Sequence, residues 1–132
     1  MKLTRRGAID KCLKLWGKVV RTRDGKCLLC GGDYNVLNAH HWTPRGNAVG
    51  EHWFILDNGF TLCYICHSKV HSRSGDMWDI RKWENLVNSR LSQDRQDEII
   101  RARHNRAGYT LEILEGIYEN LAREYDSIKE NI

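Results

Sequence analysis

Two Cys-x-x-Cys pairs, Cys27/Cys30 and Cys63/Cys66, stand 32 residues apart in a chain of 132. They limit what the segment between them can become. Zn²⁺ takes four soft ligands in a tetrahedron, and each Cys-x-x-Cys turn supplies two thiolates of compatible geometry. The N-terminus has no signal-peptide h-region, so the pairs favour metal over disulfides. A redox Cys-x-x-Cys is the rival reading, and two such pairs in one short domain argue against it. Four thiolates leave no open position, so this zinc would be structural. It would tie the start of a loop-rich segment to its end, where few long apolar runs help the chain to close. Gly31-Gly32 follows the first pair, as a tight knuckle turn requires. The fifth cysteine, Cys12, lies at helical spacing from Ile9 and Trp16 and reads as a small buried apolar residue.

Around this staple the pattern predicts an α+β chain. Residues 6–22 form an amphipathic helix with Ile9, Leu13, Trp16 and Val20 on one stripe, and Asp24-Gly25-Lys26 end it. Trp53–Leu56 and Phe60–Leu62 read as short strands or extended segments around Asp57-Asn58-Gly59. Cys66–Ser72 reads as a short helix with His67 and His71 on one face. Asp79 is placed to cap a helix carrying Ile80, Trp83, Leu86, Val87 and Leu91. A helix over 93–104 uses Ile99 and Ile100 as apolar contacts. Thr110 caps a last helix striped by Leu111, Leu114, Ile117, Leu121, Tyr125 and Ile128. The Trp and Leu stripes read as core rather than as a stacking platform for bases. The segments are thus a basic helix (1–23), a core (24–75) and a helical extension (76–132).

Net charge is +4 and unevenly spread. Residues 1–26 hold nine Lys or Arg against two Asp, whereas residues 110–132 hold two against six Asp or Glu. A basic arm suits a nucleic-acid backbone, and equally a solvated Lys-rich helix face. No apolar run is long enough to cross a bilayer, so the chain reads as soluble and intracellular, with no membrane partner.

Once the cysteines are assigned, His40, His41, Asn58, His67 and His71 remain in the same segment. Adjacent residues on a strand point to opposite sides, so one histidine of the pair could ligate a metal while the other faces a substrate. The series Cys27-x-x-Cys30, His40-His41, Pro44, Asn58, Leu62-Cys63-x-x-Cys66-His67, then His71 resembles the HNH (ββα-metal) endonucleases, in their cysteine-bearing branch. The resemblance spans roughly residues 24–73. It implies a small ββα-metal core stapled by the four-cysteine zinc site and flanked by helices. It implies His41 as general base, with Asn58 holding its imidazole through the side-chain amide. It implies His40, His67 and His71 as ligands of a catalytic divalent metal. The product ends would be 5′-phosphate and 3′-hydroxyl. Many members carry Asp where His40 stands, and an all-nitrogen set favours Mn²⁺, Ni²⁺ or Co²⁺ over Mg²⁺. A looser resemblance, through Tyr109-Thr110-Leu111-Glu112 and the terminal helix, is to the lambdoid-phage recombination endonucleases of the NinG/Rap group, which cleave branched DNA.

On this reading the partner is DNA, and the setting is the cytoplasm of a bacterial host. Arg5, Arg6, Lys14, Lys18 and Arg21 would hold phosphates from the first helix, and Arg45, Lys69 and Arg73 nearer the scissile bond. For each cation alone a solvated surface role is the bland alternative. A homodimer through the C-terminal helices, or docking to a larger phage complex, are the protein-partner expectations. The rival from another class is a non-catalytic zinc ribbon that binds DNA or protein. It explains the cysteines and the basic arm, and leaves the histidines and Asn58 without a role.

Overall fold

The computed structural model describes residues 3–32, 36–46, 48–72 and 77–131. Among them, five α-helices and one two-stranded antiparallel sheet make an α+β fold. The order is α1 (Arg5–Asp24), β1 (Leu37–His41), a 3₁₀ turn (Leu56–Asn58), β2 (Gly59–Cys63), α2 (Tyr64–Ser72), α3 (Met77–Arg90), α4 (Gln93–His104) and α5 (Leu111–Glu130).

Helix α1 starts where the Thr4 hydroxyl accepts the Gly7 N–H, and it ends at Gly25 (φ 70°), whose N–H returns to the Arg21 carbonyl. Its buried stripe of Ile9, Cys12, Trp16 and Val20 packs with Trp53, Phe54 and the Leu114 and Leu121 of α5. Cys12 is buried as expected, its thiol directed at the Leu114 carbonyl at 3.4 Å. Burying each large apolar side chain of this core contributes roughly 1.5–3 kcal/mol. A second cluster joins Phe60 to Val87, Leu91 and Ile99, tying β2 to α3 and α4.

The sheet is set between these layers. His41 pairs with Gly59, His40 with Phe60, Ala39 with Thr61 and Leu37 with Cys63. Every residue of β2 is buried, because α1 covers one face and the Phe60 cluster the other. Contact with α1 is close enough to require glycine: a Cβ on Gly59 would lie 2.5 Å from Val20 Cγ2 and 2.8 Å from the Trp16 ring. The Asp24 carboxylate, 3% exposed, locks the end of α1 to the sheet. It accepts the Thr61 N–H and pairs with Arg23 and Arg90. Burial would raise its pKa, yet Arg23, Thr61 and Arg90 together hold it below the usual range.

Three local expectations change. Trp53–Phe54 is a turn rather than a strand, and β2 takes residues 37–41 as its partner. The reason is local: His52 Nε2 bonds the Pro44 carbonyl and Trp53 Nε1 the Arg45 carbonyl, folding 51–54 back onto 44–45. Asp79 lies inside the first turn of α3, which begins at Met77, and so is not its cap. Of the two isoleucines of α4, Ile99 is fully buried while Ile100 is 40% exposed.

Candidate active site

The four cysteines converge. Gly31 takes φ +75°, its N–H bonds the Cys27 carbonyl, and the Cys27 N–H bonds the Gly32 carbonyl, closing the knuckle. The Leu28 N–H then bonds the Thr61 carbonyl, which docks the knuckle on β2. All four Sγ atoms lie within 4.8 Å of one another. The 3.8 Å between Cys30 and Cys63 Sγ matches the edge of a tetrahedron with Zn–S bonds of about 2.3 Å. Burial raises the Cys27 thiol, but N–H groups of Cys30, Cys63 and Leu29 outweigh it and bring it to about 7. Cys66 is pushed up, by burial and then by its sulfur neighbours. A cation at the centre would stabilise the Cys27 thiolate and offset the burial and sulfur neighbours that push Cys66 up. The donor set fits a structural zinc.

A second cluster lies on the opposite face of the sheet from α1. His40 at the end of β1 meets His67 and His71, one helical turn apart on α2, edge to face at centroid distances of 5.2 and 4.9 Å. Their ring nitrogens come within 4.8 Å of one another. His40 is buried, His67 half-buried and His71 exposed, so the cluster opens to solvent on one side. Burial, then the neighbouring His67 and His71, push His40 down to about 3, and burial followed by His71 lowers His67. Three imidazoles whose ring nitrogens converge on a side open to solvent could hold a metal ion.

His41 points the other way, as strand alternation requires. Its ring stacks on Trp16 of α1, with centroids 3.9 Å apart and planes 12° off parallel. Its Nε2 lies 2.9 Å from the Trp53 carbonyl oxygen. A carbonyl only accepts, so Nε2 carries the proton and Nδ1 keeps its lone pair. Nδ1 has no bonding partner among the described residues. Burial is the main cause that brings His41 to about 4, opposed by the Trp53 carbonyl and reinforced by Arg45 and His52. The ring is therefore neutral, with an available base, near pH 7.

Asn58 does not hold the His41 ring. Its Oδ1 accepts the Thr43 N–H at 2.8 Å, and its amide donates to the carbonyls of Thr43 (3.1 Å) and His52 (3.4 Å). It is fully buried and braces the chain leaving β1 against the turn entering β2. The His41 ring is positioned instead by Trp16 and by the Trp53 carbonyl. Sequence reading misses both, because stacking and a main-chain acceptor leave no spacing signature. It misses His52 too; the Nε2 of that ring bonds the Pro44 carbonyl, while its enclosed Nδ1 has no partner.

The cations divide. Arg5 donates to the carbonyls of Tyr109 and Ala107, clipping α1 to the start of α5. Lys18 sits over the Tyr125 ring at 4.7 Å. Arg21 folds back along Gly17. Arg6 and Lys14 are exposed on α1. Arg45 lies over Trp53, and Lys69 lines a cleft of about 680 Å³ shared with His40 and His71. Arg73 falls outside the described residues. Among the described residues, no helix is long and apolar enough to cross a membrane. No family model, curated protein or solved structure matches the chain.

Proposed function

We propose that this chain is a metal-dependent DNA endonuclease of the HNH type. The observation that carries the reading is the His40-His41 pair. One imidazole belongs to a three-histidine cluster open on one side, and its neighbour is fixed with an unprotonated nitrogen that has no bonding partner among the described residues. A zinc ribbon that only binds would need neither. The order β1, β2, α2, with one cysteine pair before β1 and the other at the β2–α2 junction, is also what the motif resemblance leads one to expect.

In this mechanism His41 Nδ1 takes a proton from water, and the water oxygen attacks phosphorus as the bond to the 3′ oxygen breaks. The leaving oxygen takes its proton from solvent. A divalent ion held by His40, His67 and His71 would supply charge relief at the phosphate oxygens. Trp16 and the Trp53 carbonyl keep the base in its plane and tautomer. Asn58 sets the loop that carries Thr43. Arg6, Lys14, Arg45 and Lys69 would supply sequence-independent contacts to phosphates.

A plasmid-cleavage titration across Mg²⁺, Mn²⁺, Co²⁺ and Ni²⁺ tests the metal set. Nitrogen ligands predict faster cutting with Mn²⁺ or Ni²⁺ than with Mg²⁺, and His40→Asp is expected to move the preference toward Mg²⁺. An identical metal order in both proteins would remove His40 from the ligand set. No cleavage with any of the ions would remove the proposal.

A further inference from the structure

Four tryptophans have described side chains, and their indole N–H groups divide them into two pairs. Trp16 donates to the Ile55 carbonyl and Trp53 to the Arg45 carbonyl, each at 3.0 Å. Trp42 and Trp83 have no acceptor for the indole N–H among the described residues. Both line the same cleft of about 680 Å³, beside His40 and His71 of the histidine cluster. Trp83 meets His40 and Phe60 edge to face, at 5.4 and 5.3 Å, while Trp42 has no ring contact among the described residues. Val70 and Ile80, the latter 37% exposed, add apolar wall. Lys69, Lys82 and Glu84 supply the charged part of the lining.

Two indole rings lining one cleft beside a histidine cluster narrow the chemistry of its occupant. It should be flat, offer an apolar face, carry hydrogen-bond acceptors and be joined to an anion that reaches the imidazoles. A nucleobase meets these conditions once it is out of its stack, and a base inside a duplex does not, because its faces are already covered. The volume lies within the ~300–1,000 Å³ usual for small-ligand pockets, which has room for one nucleotide.

We propose that the cleft lined by Trp42 and Trp83 receives one unstacked nucleobase beside the histidine cluster, so that DNA with an unpaired nucleotide is the preferred substrate. This rests on the endonuclease reading and adds the substrate's local structure to it. Stacking one base on an aromatic ring corresponds to about tenfold or more in affinity.

The test uses His41→Ala protein with zinc bound and two DNA duplexes of one sequence. One holds 2-aminopurine as a single-nucleotide bulge, and the other holds it paired. The bulged duplex is expected to bind about tenfold tighter, with its fluorescence quenched as the base stacks on indole. Trp42→Ala and Trp83→Ala should each remove most of that preference, while Trp42→Phe, which keeps a ring, retains it. Equal affinity for the two duplexes overturns the cleft proposal, and so does bulge fluorescence that fails to fall on binding. These readouts need only the His41→Ala protein, so a tryptophan variant that fails to fold does not shield the idea. Plasmid cleavage by wild-type protein judges the parent reading. Cutting without bulge preference removes the cleft alone, and neither cutting nor binding removes both.

Discussion

His41 owes its candidate chemistry to one carbonyl. Without the Trp53 oxygen 2.9 Å from Nε2, either tautomer would serve, and many of the rings would present a proton where a base is needed. The same local logic recurs at His52, whose Nε2 is taken by Pro44 and whose Nδ1 is enclosed. Neither residue belongs to a metal-ligand set, yet burial lowers the pKa of both, His41 to about 4. This fixes the sign of a pH effect on stability. Between about 6.5 and 4 the unfolded chain binds more protons at these sites than the folded one, so their contribution is present above about 6.5 and lost as pH falls toward 4. The urea midpoint should therefore drop between pH 7 and pH 5. His52→Gln keeps a donor for the Pro44 carbonyl but cannot titrate, and the drop should be shallower in that variant. A midpoint that is flat or rises toward pH 5 would contradict the burial argument.

At the level of elements, the contact that matters most is α1 against the start of β2. Trp16 and Val20 lie where any side chain on residue 59 would go, and Trp16 also stacks on His41. Gly59→Ala should cost roughly 1–3 kcal/mol through overpacking, and it should slow cleavage more than stability alone explains, because the base is supported by the same indole. Thermal unfolding and a cleavage rate measured on the folded fraction separate the two effects. A variant as stable and as active as wild type would show that this packing is slack. Most of these elements are legible in the sequence. Gly25, Gly31 and Thr110 act locally where their chemistry predicts turns and caps, and His67 and His71 share a face because helix periodicity is rigid. The segment 53–56 departs from its pattern because two aromatic side chains bonded to main-chain carbonyls override an apolar run. Asp24 reads as turn chemistry, although its carboxylate is an interior hub for Arg23, Arg90 and Thr61. Two of those partners are distant in sequence and leave no local trace.

For the whole molecule, the cysteine tetrad closes a 40-residue stretch of mostly short elements, from Cys27 to Cys66. Leu62, Cys27 and Cys63 form its small core with Leu29, Leu37, Val70 and Trp83 around them, and Trp83 is also the wall of the histidine cleft. A structural zinc stabilises a folded domain by an amount comparable to the ~5–15 kcal/mol that separates folded from unfolded chains. Cys63→Ser should therefore lose bound zinc and cooperative unfolding together, as read by elemental analysis and circular dichroism. A folded variant without zinc would make the tetrad dispensable. If that staple holds the histidines in place, the central claim reduces to whether His41 accepts a proton during DNA cleavage. The direct measurement is the single-turnover rate of plasmid cleavage in Mn²⁺ for wild type and His41→Ala, with zinc content and helicity checked on both. The account predicts a fall of ~10²–10⁴ in rate with zinc and fold unchanged; cleavage by His41→Ala at the wild-type rate would contradict it.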